Sequence, residues 1–298
     1  MDLLSKGKNL ESLEFLFNQI KIKSIKSVSG GSTHRSWHIE LISGERFFAK
    51  TTGVNLFSSL KFEYKCLNEL RKFADSKYLE IPKPFKLDKN KEFSILILPW
   101  LPLSFGNQYN LGKGLAILHK NSSNNNLGKF GWEEEGFIGK GKQKHGWESQ
   151  WGAFFVKYRL IPQISYAIKN KFLDNNAFNY IKKIERFLNN IEVKPSLIHG
   201  DLWSGNVGTI NKKGALFDPA CYWADKRADI SMTKLFGGFT KDFYQGYEYI
   251  YPRNIEENNN HIDDIYNLYH VINHANIFGG GYVNQAKLLL KNIHKAIN

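Results

Sequence analysis

At 298 residues the chain exceeds the usual span of one hydrophobic core, and its 42% hydrophobic and 14% aromatic content can fill two lobes. That composition excludes a disordered, collagen-like or disulfide-stapled polypeptide. Lys and Arg number 41 against 28 Asp and Glu, and the resulting +13 favours anionic partners in general. The basic residues are spread along the chain rather than blocked, so no specific nucleic-acid site is expected.

Cys66 and Cys221 lie far apart without CxxC spacing, which fits two buried thiols in a reducing, cytoplasmic setting. The longest mostly apolar run, 93–103, is about half the ~20 residues a membrane span needs and contains two prolines. The N-terminus lacks the basic and apolar blocks of a signal peptide, so neither secretion nor membrane insertion is expected.

In chain order, 20–28, 37–42 and 46–50 read as strands, with a Gly30-Gly31 turn after the first. They predict a small antiparallel sheet. Leu60, Leu67 and Leu70 then share one helical face with Glu63 in its middle, and a carboxylate on an apolar face needs a partner. Residues 93–98 form a continuous apolar strand ending in Pro99-Trp100-Leu101-Pro102, read as a hinge. Helical spacing follows over 111–119, 150–168, 177–188, 230–236 and 262–277, and the Asn-rich stretches 121–126 and 258–260 read as loops. The expected division is an N-lobe over 1–98, a hinge over 99–102 and a helical C-lobe over 103–298.

The chemistry concentrates in Leu197-Ile198-His199-Gly200-Asp201-Leu202-Trp203-Ser204-Gly205-Asn206, of the form H-G-D-x4-N, with Asp218 closing an apolar strand twelve residues beyond Asn206. Phosphoryl transfer needs such a set: Asp201 to accept the proton of the attacking hydroxyl, Asn206 and Asp218 to hold Mg²⁺ on the phosphates of ATP. Lys50 ends a strand and is expected to pair with Glu63 and reach the α and β phosphates. Gly30 and Gly31 would admit backbone amides close to phosphate, although an ordinary hairpin turn is the better account of a lone Gly pair. No P-loop signature occurs. At the hinge, Pro99 would offer a carbonyl and Leu101 an amide to adenine; Pro219 after Asp218 argues against a swinging activation segment.

LIHGDLWSGNVG at 197–208, DPACYWADKRADISMTKLFGGF at 218–239 and LYHVINHANIFGGGY at 268–282 closely resemble the fructosamine kinase / protein-ribulosamine 3-kinase (ketoamine kinase) family of protein-kinase-like phosphotransferases. The resemblance implies an α+β, protein-kinase-like two-lobed fold, with an antiparallel-sheet N-lobe and a mainly helical C-lobe around ATP and Mg²⁺. It implies transfer of the γ-phosphate to the sugar 3-hydroxyl of ketoamines, namely ribulosamine, erythrulosamine or fructosamine adducts on protein or free amines. The 3-phosphate decomposes, releasing the amine, so the biological sense is deglycation repair. Carried over by matching position, Asp201 is the catalytic base, Asn206 and Asp218 metal ligands, Lys50 and Glu63 the nucleotide anchor, Trp203 and His274 sugar contacts, and Asp229 the brace beneath the catalytic loop.

Three positions depart from the family pattern: Ser32 stands where several relatives carry Cys, Pro99 replaces a hinge Glu, and His145 replaces an Asn. None belongs to the phosphotransfer set. His270 and His274, four apart on a helix, also admit a metal pair or satisfied core histidines, and Trp203 admits plain packing under its loop. An aminoglycoside- or choline-type kinase for amino alcohols remains a rival reading, as does a non-catalytic kinase-like binding protein. Lys50, Asp201, Asn206 and Asp218 are all present, against the latter.

Overall fold

The computed structural model describes residues 13–28, 34–104, 106–125, 128–252 and 260–297. The chain forms two compact units, Met1–Arg71 with Ile81–Leu103, and Lys72–Glu80 with Ser104–Asn298.

Alternation along the strands builds the first unit. β1 (Ile22–Val28), β2 (Arg35–Leu41), β3 (Arg46–Thr52), β5 (Lys86–Lys89) and β6 (Ser94–Pro99) form an antiparallel sheet in the order β1-β2-β3-β6-β5. Trp37 pairs with Ala49 and Ala49 with Ile97. One face therefore collects Trp37, Ile39, Phe47, Ala49, Ile95 and Ile97, which bury with Leu13 and Phe17. Because successive side chains alternate, Lys50 belongs to the opposite face. α1 (Phe57–Phe73) buries Leu60, Glu63, Leu67 and Leu70 on one stripe, the spacing its sequence predicts.

Helices do most of the burying in the second unit: α2 (Tyr109–Ser123), α3 (Trp151–Phe155), α4 (Ile161–Lys169), α5 (Ile181–Asn189), α6 (Arg227–Leu235), α7 (Lys241–Glu248), α8 (Asn260–Phe278) and α9 (Gly281–Ala296). α2 lies against α7 so closely that a Cβ at Gly112 would overlap the Phe243 carbonyl. The strands are short. β4 (Leu79–Glu80) runs parallel to β13 (Lys213–Leu216), which pairs antiparallel with β12 (Val207–Ile210). β7 (Phe130–Trp132), β10 (Gly146–Glu148), β11 (Ser196–Ile198) and β14 (Tyr222–Ala224) form a sheet in the order β10-β7-β14-β11, while β8 (Gly136–Ile138) and β9 (Gly141–Gln143) make a hairpin. Among the described residues no helix is long and apolar enough to cross a membrane.

Two details differ from expectation. The helix predicted over 150–168 is interrupted by a π turn at Val156–Leu160, directly before Pro162. Proline lacks an N–H and crowds the carbonyl four residues earlier, and a widened turn accommodates both. The loop expected from residue 121 begins later, because α2 continues through Ser123. Asn121 Nδ2 donates to the Phe73 carbonyl at 3.0 Å, a side-chain bond that holds the last helical turn in place.

Candidate active site

β3 delivers Lys50 to the buried stripe of α1. Its Nζ lies 2.8 and 2.9 Å from the two carboxylate oxygens of Glu63, with side-chain exposures of 9% and 6%. A buried ion pair held by two charge-assisted hydrogen bonds resolves the problem of a carboxylate on an apolar helical face. Gly30 and Gly31 lie outside the described residues.

At the end of β6 the Trp100 amide donates to the Arg46 carbonyl at 3.1 Å, and Phe48 faces Leu98. Hydrogen-bonded pairs alternate along an antiparallel ladder, so Pro99, opposite Phe47, turns its carbonyl and its imide nitrogen away from β3. β5 pairs only as far as Ile97. Proline costs this edge no ladder bond.

Residues 199–206 belong to the second unit, between β11 and β12. His199 is fully buried; its Nε2–H donates to the Phe217 carbonyl at 3.0 Å, and its Nδ1 accepts the Asp201 amide at 3.3 Å. Those roles require a neutral ring protonated on Nε2, in keeping with burial, which pushes its pKa down. Gly200 has φ +79°, and a Cβ there would overlap the Ala220 carbonyl, so the turn into Asp201 requires glycine.

Asp229, in the first turn of α6, anchors this loop from below. Its Oδ2 accepts the His199 amide at 2.8 Å and its Oδ1 the Gly200 amide at 2.9 Å. His119 of α2 donates from Nε2 to Oδ2 at 3.2 Å, and the Tyr247 hydroxyl of α7 donates to His119 Nδ1 at 2.9 Å. Burial alone would raise the Asp229 pKa, but the hydrogen bonds it accepts from His119 and from the Gly200 amide outweigh it and hold the carboxyl below its ordinary value. Burial pushes the Tyr247 hydroxyl well up, so it remains a donor.

Asn206 is brought onto Asp201. Its Nδ2 donates to the Asp201 carbonyl at 2.9 Å and to Asp201 Oδ2 at 3.1 Å, and lies 3.4 Å from the Asp218 carbonyl. With Nδ2 engaged, Oδ1 is the atom Asn206 can present to a cation. Asp218 has φ +56°, an uncommon conformation for a non-glycine residue, and strained positions of this kind gather at functional sites. An amide oxygen and one carboxylate suit Mg²⁺, a hard cation that takes few protein ligands and completes its shell with water and phosphate. Among the described residues no cluster of three or more His, Cys, Asp or Glu could hold a metal by itself.

Trp203 is 39% exposed, too open for a core side chain, with its ring over Gly205 and its edge toward Phe236 at 6.4 Å. Phe236 lies 5.1 Å from His274, which is also flanked by Tyr282 at 5.1 Å and Phe278 at 5.7 Å. The two residues expected at the sugar are thus joined by an aromatic series. His274 Nδ1 is buried without a hydrogen-bond partner among the described residues.

His119, Tyr247 and Arg159 have no role assigned from the sequence. Arg159, on the π turn, is 1% exposed; its guanidinium lies 3.9 Å from the centre of the Tyr222 ring, and Nη1 donates to the Lys144 carbonyl at 2.9 Å. His119 carries the same signal that exposed Glu63, a polar side chain on an apolar helical face.

A thermostable mutant of an aminoglycoside phosphotransferase shares this fold, with a TM-score of 0.64 and 14% identity over 96% of this chain and 97% of that one. The architecture is that of the protein-kinase-like phosphotransferases. A crystal structure described as a "putative fructosamine-3-kinase" from Haemophilus somnus 129PT superposes with a TM-score of 0.83, at 24% identity and 95% coverage of both chains. The family model for fructosamine kinase matches residues 8–296. A "probable ketoamine kinase" of Vibrio parahaemolyticus is 34% identical over 271 residues, 89% of this chain and 91% of that one. Another of that description, from Synechocystis, is 35% identical over 277 residues, 91% and 90% of the two chains. The chain belongs to the fructosamine kinase family and is a phosphotransferase.

Proposed function

We propose that this protein is an ATP-dependent ketoamine kinase that phosphorylates the sugar 3-hydroxyl of ribulosamine, erythrulosamine or fructosamine adducts, on proteins or free amines. Loss of the phosphorylated sugar would then restore the amine, a repair role suited to the cytoplasm. The observation that carries the reading is the bond from Asn206 Nδ2 to Asp201 Oδ2, which fixes one carboxylate oxygen and leaves the group oriented to accept a proton. Asp229 supports the reading by holding the backbone of His199 and Gly200.

In this scheme Asp201 orients the acceptor hydroxyl and takes its proton. Lys50, held by Glu63, binds the α and β phosphates, Gly30 and Gly31 approach them by backbone, and the Pro99 carbonyl and Leu101 amide receive adenine. Asn206 and Asp218 would hold Mg²⁺, which supplies charge neutralisation on the phosphate oxygens. Trp203 stacks on the sugar and His274 bonds to it. Positioning and electrostatic stabilisation supply most of the rate.

ADP release measured side by side with ribulose-lysine, fructose-lysine, choline and an aminoglycoside tests the assignment. Turnover of the two ketoamines is expected. Response to only the other two acceptors would make this an amino-alcohol kinase.

A further inference from the structure

The inner stripe of α8 holds more polar groups than the sugar contacts account for. His270 lies one turn before His274 and Asn267 three residues before His270, so the three share a face. His270 is 4% exposed and its Nδ1 is buried without a hydrogen-bond partner among the described residues. Asn267 is 8% exposed; its Nδ2 donates to the Ser231 carbonyl at 3.0 Å, while its Oδ1 is buried and has no donor there. The π turn that carries Arg159 packs against α8, and Arg159 Nε is likewise buried without an acceptor among the described residues.

Arg159 also lies next to the reacting loop. Its guanidinium rests on the Tyr222 ring, and a Cβ at Gly200 would fall 3.4 Å from Tyr222 Cε1. Cation–π contacts to the Phe154 and Tyr222 rings and bonds from Nη1 to the Lys144 and Tyr158 carbonyls hold the guanidinium, and they leave Nε as its one buried donor without an acceptor among the described residues. Native proteins satisfy buried polar atoms, and those left over mark a place for water or ligand. Widened helical turns are frequent at functional sites.

The mixture of orphaned atoms selects the ligand chemistry. Arg159 Nε offers a hydrogen, Asn267 Oδ1 offers lone pairs, and a neutral imidazole offers one of each. A carboxylate or phosphate could meet only the donors and would repel the Asn267 oxygen. A hydroxyl both donates and accepts, so a neutral polyol satisfies the whole set.

We propose that His270, with Asn267 and Arg159, binds hydroxyl groups of the acceptor's sugar chain beyond the reacting hydroxyl and thereby sets the preferred chain length. This rests on the reading of the protein as a ketoamine kinase. His270 binds substrate; it takes no part in proton transfer at the 3-hydroxyl.

The test is calorimetric titration of the full chain, with a non-hydrolysable ATP analogue bound, against erythrulosyl-, ribulosyl- and fructosyl-lysine. His270→Phe, which keeps the ring and removes both nitrogens, is expected to weaken binding of the longer sugars about tenfold, the worth of one hydrogen bond. Nucleotide affinity stays unchanged, and the shortest sugar loses least. Should His270→Phe fail to fold, His270→Asn is titrated in its place, and ¹⁵N shifts of the His270 ring in the wild-type chain report the same contact on adding sugar. Unchanged affinities for all three sugars, or unmoved ring shifts, overturn the proposal and assign the site to buried water only. If the wild-type chain binds no ketoamine, the functional reading fails by itself. The same variants are then titrated with whichever acceptor is turned over, and an unaltered affinity for that acceptor overturns the role of His270 separately.

Discussion

Asn206 holds Asp201 twice, through the carbonyl at 2.9 Å and through Oδ2 at 3.1 Å, so one amide side chain sets both the backbone and the carboxylate of the proposed base. The carboxylate is oriented before any substrate arrives. Asp201→Asn preserves the shape and removes the proton acceptor. We expect turnover to fall by about two to four orders of magnitude while nucleotide affinity stays as it was. Steady-state ADP release and fluorescence titration of nucleotide check this, and undiminished turnover removes Asp201 as the base.

The Lys50–Glu63 pair is buried on both sides. Removing one partner leaves a stranded charge, so Glu63→Met is expected to cost about 3–5 kcal/mol of stability and to raise the Kd for ATP. The double variant Lys50→Met/Glu63→Met should regain much of that stability and none of the nucleotide affinity. Urea unfolding beside ATP titration separates the two effects; a double variant no more stable than the single one contradicts this picture of the pair.

Gly200→Ala tests the turn before the base. A methyl group at φ +79° meets the Ala220 carbonyl and strains the backbone. Activity should be lost in chains whose circular dichroism still shows the native fold, together with a lower Tm. Wild-type kinetics in this variant would mean that the loop conformation is not needed for turnover.

Acid should weaken the fold before the carboxylates titrate. Burial, then the charges of His274 and Arg159, push the His270 pKa down from 6.5 to about 3. Burial pushes His199 in the same direction. The unfolded chain binds these protons near pH 6.5 and the folded chain does not. Their contribution is therefore complete above that pH and declines as pH falls below it, for His270 by up to about 1.4 kcal/mol per pH unit down to about pH 3. Unfolding free energies between pH 7 and 4 should show this slope, reduced by one proton's worth in His270→Phe. A slope identical in the two proteins contradicts the assignment.

Much of the candidate site was legible because its residues break local rules. Glu63 on an apolar face demanded a cation, and Lys50 is 2.8 Å away. The H-G-D-x4-N run is compact in sequence, and its distances are short for that reason. Strands β7 to β10 left no trace, since three residues rich in glycine develop no alternation. The π turn and the function of Arg159 depend on neighbours distant in sequence, namely Lys144 and Tyr222. His119 sits on the buried face of α2 with Leu111, Leu115 and Leu118, as Glu63 does on α1, but its partners Asp229 and Tyr247 lie more than a hundred positions away.

The support beneath the loop that carries the proposed base also constrains how the chain gains activity as it folds. His119 reaches Asp229 across 110 positions and Tyr247 across 128, while Asp229 reaches His199 across 30. Contacts of such separation form late, once loop-closure entropy has been overcome. In a refolding experiment, recovery of helical signal should therefore run ahead of recovered turnover, and a nascent chain that has not yet emerged through Tyr247 should be inert however well its first unit has formed.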